Sequence, residues 1–127
     1  MTDSILIIEG DPTLRRELVS ALSEANFTVE AVRGYIEAQM ILDEFNPDMV
    51  IMDEVLPGRN GMEVCCQLHS TFGIPIILLG EDPSDEIWEK ALVEAGADFY
   101  LRKPVSHREL VARVKAILRR IRRVRNQ

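Results

Sequence analysis

Residues 5–12 read Ile5-Leu6-Ile7-Ile8-Glu9-Gly10-Asp11-Pro12, and the change of character partway along that run decides the fold. The first four residues are apolar, rich in β-branched side chains and too few for a helix. A strand with one wet face would alternate apolar with polar. This one is apolar on both sides, which suits a parallel strand covered from above and below. Asp11 then suits a helix N-cap, where its carboxylate accepts from orphan N–H groups, and Pro12 suits the first helical position. Leu14, Leu18, Ala21, Leu22 and Ala25 follow as one apolar stripe, and Asn26 ends the helix.

Outward from there the alternation continues. Residues 27–32 alternate as a second strand, and Gly34 opens a helix bearing Ile36, Met40, Ile41 and Phe45 that Asn46-Pro47 stops. Residues 49–52 form a third strand. A loop with Pro57 and Gly58 then leads to Gly61 and a helix reaching about Phe72. Residues 74–79 are a fourth strand, Ser84 caps a helix bearing Ile87, Leu92 and Val93, and residues 97–101 are the fifth strand. Ser106 caps a long final helix, 106–125, with Leu110, Val114, Ile117, Ile121 and Val124 on one face and Glu109 completing a capping box. Strands and helices alternating in this way predict a single α/β domain over 1–127, with a parallel sheet, helices on both faces and right-handed crossovers.

The 127 residues are enough for one domain with its own core. No apolar run approaches the ~20 residues that span a bilayer, and Met1-Thr2-Asp3 starts no secretory leader, so a soluble, cytoplasmic protein is expected. Cys65 and Cys66 are adjacent, poor partners for each other, and read as helix packing rather than metal or redox groups. The net charge of −6 hides a segregation: residues 1–101 hold 5 Lys and Arg against 20 Asp and Glu, whereas residues 102–127 hold 10 against 1. An acidic body with a basic tail implies two different surfaces or partners.

In parallel sheets of this kind function collects at the carboxyl ends of the strands. Those ends carry Glu9, Gly10 and Asp11 after the first strand, Asp53 and Glu54 after the third, Gly80 after the fourth and Lys103 after the fifth. Carboxylates from two strands face a lysine from a third. Such a group suits a hard divalent cation in company with phosphate, with a carboxylate able to act as nucleophile toward phosphorus.

Over its whole length the chain resembles the response-regulator receiver domains of two-component signalling, most of all those that precede a winged-helix DNA-binding domain. The resemblance rests on residues 5–9, Pro47-Asp48 through Met52-Asp53, Leu56-Pro57-Gly58 with Gly61, residues 74–77, Gly96-Ala97-Asp98, Tyr100-Leu101-Arg102-Lys103-Pro104 and residues 108–114. It implies a (βα)5, flavodoxin-like fold with strand order 2-1-3-4-5. It also implies that Asp53 accepts a phosphoryl group from a histidine kinase, and that Lys103 pairs first with Asp53 and then with the phosphoryl oxygens. Glu9, Asp53 and the Val55 carbonyl match Mg²⁺ ligands. Tyr100 matches an aromatic switch that swings inward on activation.

Two positions depart from that family. The acid that binds Mg²⁺ directly is replaced by Gly10, and the Thr or Ser that holds the phosphoryl group and draws the switch inward is replaced by Gly80. Asp11 is committed as an N-cap, and Glu54, Glu81 and Asp82 add charge without motif support. Weak or absent Mg²⁺ binding and slow or absent phosphorylation are therefore expected, with Gly10→Asp plus Gly80→Thr as the pair that restores them. A phosphorylation-independent pseudo-receiver that serves as an interaction or dimerisation module is the rival reading.

The resemblance further implies a homodimer through the fourth helix, fifth strand and fifth helix, where Glu109 and Arg113 match charged positions. Phe99 replaces the Asp that would pair with Arg113. Arg119, Arg120, Arg122, Arg123 and Arg125 crowd the end of the last helix, but cations suit a helix C-terminus and no aromatic is interleaved. DNA contact is expected only through a separate effector domain, to which this helix would lead. An enzyme is not expected: the sequence after Asp53 lacks D-x-D-x-T, and neither G-x-G-x-x-G nor a P-loop follows the first strand.

Overall fold

A computed structural model describes residues 2–81 and 84–125. Its strands and helices are β1 (Ser4–Ile8), α1 (Pro12–Glu24), β2 (Thr28–Val32), α2 (Tyr35–Phe45), β3 (Met49–Asp53), β4 (Val55–Leu56), β5 (Arg59–Asn60), α3 (Gly61–Phe72), β6 (Ile76–Gly80), α4 (Asp85–Glu89), β7 (Phe99–Arg102) and α5 (His107–Arg125). The main sheet is parallel, in the order β2-β1-β3-β6-β7. Counting only those five strands gives 2-1-3-4-5, the flavodoxin-like α/β receiver fold.

The doubly apolar strands explain the layering. Leu6, Ile8, Val50, Met52, Ile76 and Leu78 face one side, where α2, α3 and the segment after α4 bring Tyr35, Ala38, Leu42, Val64, Leu68 and Ala91. Ile5, Ile7, Met49, Ile51, Ile77 and Leu79 face the other, against Leu18 and Leu22 of α1 and Leu110, Val114, Ile117 and Leu118 of α5. Each fully buried side chain of this size contributes roughly 1.5–3 kcal/mol.

The caps follow from residue chemistry. The Asp11 carboxylate accepts from the Thr13 N–H at 2.9 Å, with Pro12 opening α1. Asn26 and Asn46 take left-handed conformations just past α1 and α2. The Glu109 N–H donates to Ser106 Oγ at 3.2 Å, the forward bond of the expected capping box. Cys65 is buried in α3 and Cys66 is exposed, both as free thiols. The Cys65 thiol donates to the Ala95 carbonyl at 3.4 Å, and burial pushes its pKa up to about 12, as fits packing rather than reactivity.

Three expectations are corrected. The buried stripe of α2 is Tyr35, Ala38 and Leu42, with Ile41 and Phe45 half-buried, whereas Ile36 and Met40 are 68% and 77% exposed. Tyr35, Ala38 and Leu42 make the face that meets the sheet, and Ile36 and Met40 lie off it despite their hydropathy. The fourth helix is one short α-helical segment continued by a π-helical turn over Lys90–Glu94, which leaves Val93 exposed. The loop after β3 contains the antiparallel hairpin β4–β5, closed by Leu56-Pro57-Gly58-Arg59. Pro57 suits the first central position of its turn, and Gly58 supplies a φ of +66° at the second.

Candidate functional site

The order of the sheet reverses between β1 and β3, so a crevice opens at their carboxyl ends. Glu9 follows β1, Asp53 ends β3, Gly80 ends β6, and Lys103 comes just after β7. The Lys103 N–H donates to the Gly80 carbonyl at 2.8 Å, and the Lys103–Pro104 peptide is cis. From this edge the lysine reaches across β6. Its ammonium pairs directly with Asp53 Oδ2 and lies 3.4 Å from Glu9 Oε1. The other Asp53 oxygen, Oδ1, accepts from the Val55 N–H at 2.8 Å. Both acids are buried, Glu9 at 2% exposure and Asp53 at 5%.

One ammonium between two buried carboxylates leaves an excess negative charge. Burial pushes the Glu9 pKa up to about 7, helped by a hydrogen bond shared with Asp53 and by the Asp53 charge. The Asp11 N–H, 3.2 Å from Glu9 Oε2, and the Lys103 charge pull the other way without prevailing. Burial acts to lower the Lys103 pKa, but Asp53, and then Glu9, outweigh it and hold the ammonium above its ordinary value. Glu9 Oε1 is within ion-pair reach of Lys103 but has no hydrogen-bond partner.

That orphaned oxygen, Asp53 and the Val55 carbonyl have the oxygen chemistry a hard cation wants. The set is short of donors: among the described residues no group of three or more His, Cys, Asp and Glu is arranged to hold a metal ion. Gly10 is the position at which the resemblance implied a further carboxylate. A Cβ there would meet Pro57 and the Arg33 carbonyl only at 3.8–3.9 Å, ordinary contact, so the space for a side chain exists.

Gly80 differs. A Cβ there would lie 1.9 Å from the Tyr100 hydroxyl oxygen and 2.5 Å from the Glu54 carboxylate. Tyr100 points inward at 3% exposure, and its hydroxyl donates to Glu54 Oε2 at 3.0 Å. The two positions of the expected restoring pair thus differ in the space they offer. Gly10→Asp has room, whereas Gly80→Thr requires the Tyr100 hydroxyl and the Glu54 carboxylate to move aside.

Two participants were not legible as such in the sequence. Glu54 looked like unassigned charge, yet it bonds Tyr100; the hint was an ionisable residue beside a strand-end acid, with a glycine on the neighbouring strand. Arg15, one turn into α1, reaches back to donate to the Glu9 carbonyl at 2.8 Å, the direction in which helix side chains lean. Glu81 is exposed, and Asp82 lies outside the described residues.

On the opposite flank, the Arg113 guanidinium sits over the Phe99 ring, 4.2 Å from its centroid. A cation–π contact therefore stands where the resemblance implied an ion pair. Asp98 is occupied in accepting from the Ile76 N–H at 2.8 Å, and Arg122 pairs with Asp3 within the chain. Glu109 and Arg113 are exposed. Among the described residues no helix is long and apolar enough to cross a membrane.

Strand order, strand-end acids and the lysine–carboxylate pair together define a receiver, and the chain belongs to the response regulator receiver domain family, whose sequence model matches residues 5–115. Within that family it is similar to transcriptional regulators of two-component systems. It is 38% identical over 120 residues to the DNA-binding response regulator MtrA of Mycolicibacterium smegmatis, covering 94% of this chain and 52% of that protein. It is also 38% identical over 117 residues to the transcriptional regulatory protein AfsQ1 of Streptomyces coelicolor, covering 92% and 52%. The chain thus spans about half the length of the curated relatives it matches. Among solved structures, a two-component response regulator from Clostridium difficile superposes with a TM-score of 0.89 at 29% identity, covering 94% of this chain and 98% of that one.

Proposed function

We propose that this domain accepts a phosphoryl group on Asp53 from a histidine kinase, inefficiently, and thereby regulates a transcriptional output. The observation that carries the reading is the buried Asp53 carboxylate, ion-paired to Lys103 at the switch point of the sheet. An Asp53 oxygen attacks phosphorus as the bond to the donor's imidazole nitrogen breaks, giving an aspartyl phosphate and a free imidazole. Lys103 shifts from the carboxylate to the phosphoryl oxygens, and the Val55 N–H holds Oδ1 so that the attacking oxygen keeps its direction.

Glu9, Asp53 and the Val55 carbonyl are the residues that would hold Mg²⁺, which when bound supplies positive charge against the phosphoryl oxygens. Without a carboxylate at Gly10 its hold is weak. The role is signalling rather than enzymatic, the setting cytoplasmic, and DNA would be met only through a separate effector domain. Homodimerisation would use α4, β7 and α5, with Phe99, Glu109 and Arg113 in the face.

One observation favours the second reading, a pseudo-receiver that works by protein contact alone: the space beside Gly80 is already filled by Tyr100 and Glu54. A small-molecule phosphodonor with Mg²⁺ separates the two. The phosphoswitch reading expects slow gain of one phosphoryl mass, faster in Gly10→Asp and absent in Asp53→Asn. No gain even in Gly10→Asp would hand the function to the pseudo-receiver reading, and rapid gain by the unaltered chain would remove the impairment.

A further inference from the structure

The Tyr100 hydroxyl meets a carboxylate that has no part in phosphoryl chemistry. Glu54 is anchored at both backbone ends: its N–H donates to the Leu79 carbonyl at 2.8 Å, and its carbonyl accepts from the Gly61 N–H at 2.8 Å. Gly61 is required there, since a Cβ would lie 2.4 Å from the Glu54 carbonyl oxygen. With its backbone clamped, Glu54 turns its carboxylate toward β6, where Gly80 leaves a void one side chain wide. The Tyr100 hydroxyl enters the same void and donates to Glu54 Oε2. Any side chain at residue 80 would exclude the ring, and any residue at 54 without an acceptor would strip the buried hydroxyl of this bond.

The geometry points to Glu54 as a positioning residue that, with Gly80, makes the buried position of Tyr100 the resting state of this domain whether or not Asp53 is modified. Glu54 does from the neighbouring strand end what a hydroxyl side chain at residue 80 would otherwise do. It also lines the open groove of about 780 Å³ against Ile87 and Lys90, so the state of Tyr100 is presented beside the α4 surface. Neither contact involves Asp53, so the arrangement does not depend on phosphorylation there.

The chain has two tyrosines, Tyr35 and Tyr100, so ring-labelled tyrosine gives two NMR signals. Solvent access of each is read with a soluble paramagnetic relaxation agent, and buried Tyr35 reports that the fold is intact. In the unaltered chain Tyr100 is expected to be protected, and to stay so in Asp53→Asn and after addition of beryllofluoride. Glu54→Ala is expected to raise its exposed population about five-fold, Glu54→Gln to restore most of the protection through its amide oxygen, and Gly80→Ala to expel the ring. Protection surviving in Glu54→Ala, or a Tyr100 that becomes protected only with beryllofluoride, would overturn the assignment. The ¹⁹F signal of bound beryllofluoride reports separately on the Asp53 site, so failure there is distinguishable from failure here.

Discussion

Glu9→Gln is expected to stabilise the protein at neutral and mildly alkaline pH, although it removes a charge 3.4 Å from a lysine. The cause is that this carboxylate is buried at 2% exposure beside a second one, so its neutral form suits the fold better than its charged form. With the pKa at 4.5 in the open chain and about 7 in the fold, and about 1.4 kcal/mol per unit, the contribution is about 3 kcal/mol. Between those two values the folded chain holds a proton that the unfolded chain has released. The favourable contribution is therefore complete below 4.5 and is lost as the pH rises through about 7. Glutamine cannot ionise and keeps an oxygen for the Asp11 N–H. The raised pKa of Lys103 acts only above 10.5 and leaves this window untouched. Urea unfolding followed by circular dichroism, from about pH 4 to about pH 8, should show the advantage of Glu9→Gln growing from near zero to about 3 kcal/mol. Parallel stability curves for the two proteins would refute the account of the pocket as one cation short.

Other substitutions test the remaining contacts. Lys103→Met should cost about 3 kcal/mol by leaving two buried carboxylates without a cation, and Asp53→Asn in the same chain should recover more than ~1 kcal/mol of it in a double-mutant cycle. Gly10→Asp should raise Mg²⁺ affinity at least about ten-fold, measured by titration calorimetry; an unchanged affinity would mean that the open space at residue 10 does not face the cation. Gly61→Ala should destabilise by about 2 kcal/mol or more, because its methyl meets the Glu54 backbone rather than a flexible side chain.

Much of the fold was legible because its signals are local. A short strand apolar on both faces must be covered twice, and Asp11-Pro12 and Ser106 mark helix starts by chemistry that depends only on neighbouring residues. The α2 face was not legible, since Ile36 and Met40 are as apolar as a core stripe but lie on the side the sheet does not touch. Hairpin β4–β5 is two residues a side, too short for any periodicity to register. In the site, Glu9, Asp53 and Lys103 were found from their places at strand ends, which a regular βα alternation locates by counting.

By itself, then, the sequence determined the alternation of elements, the parallel sheet, the strand-end carboxylates and the two glycines where side chains are missing. Only the tertiary structure decided what those absences mean, because an absent side chain leaves a volume whose content depends on residues far along the chain. Beside Gly10 the volume stays open. Beside Gly80 it is taken by Tyr100 from one strand and Glu54 from the end of another, 46 residues apart in sequence and 3.0 Å apart in space.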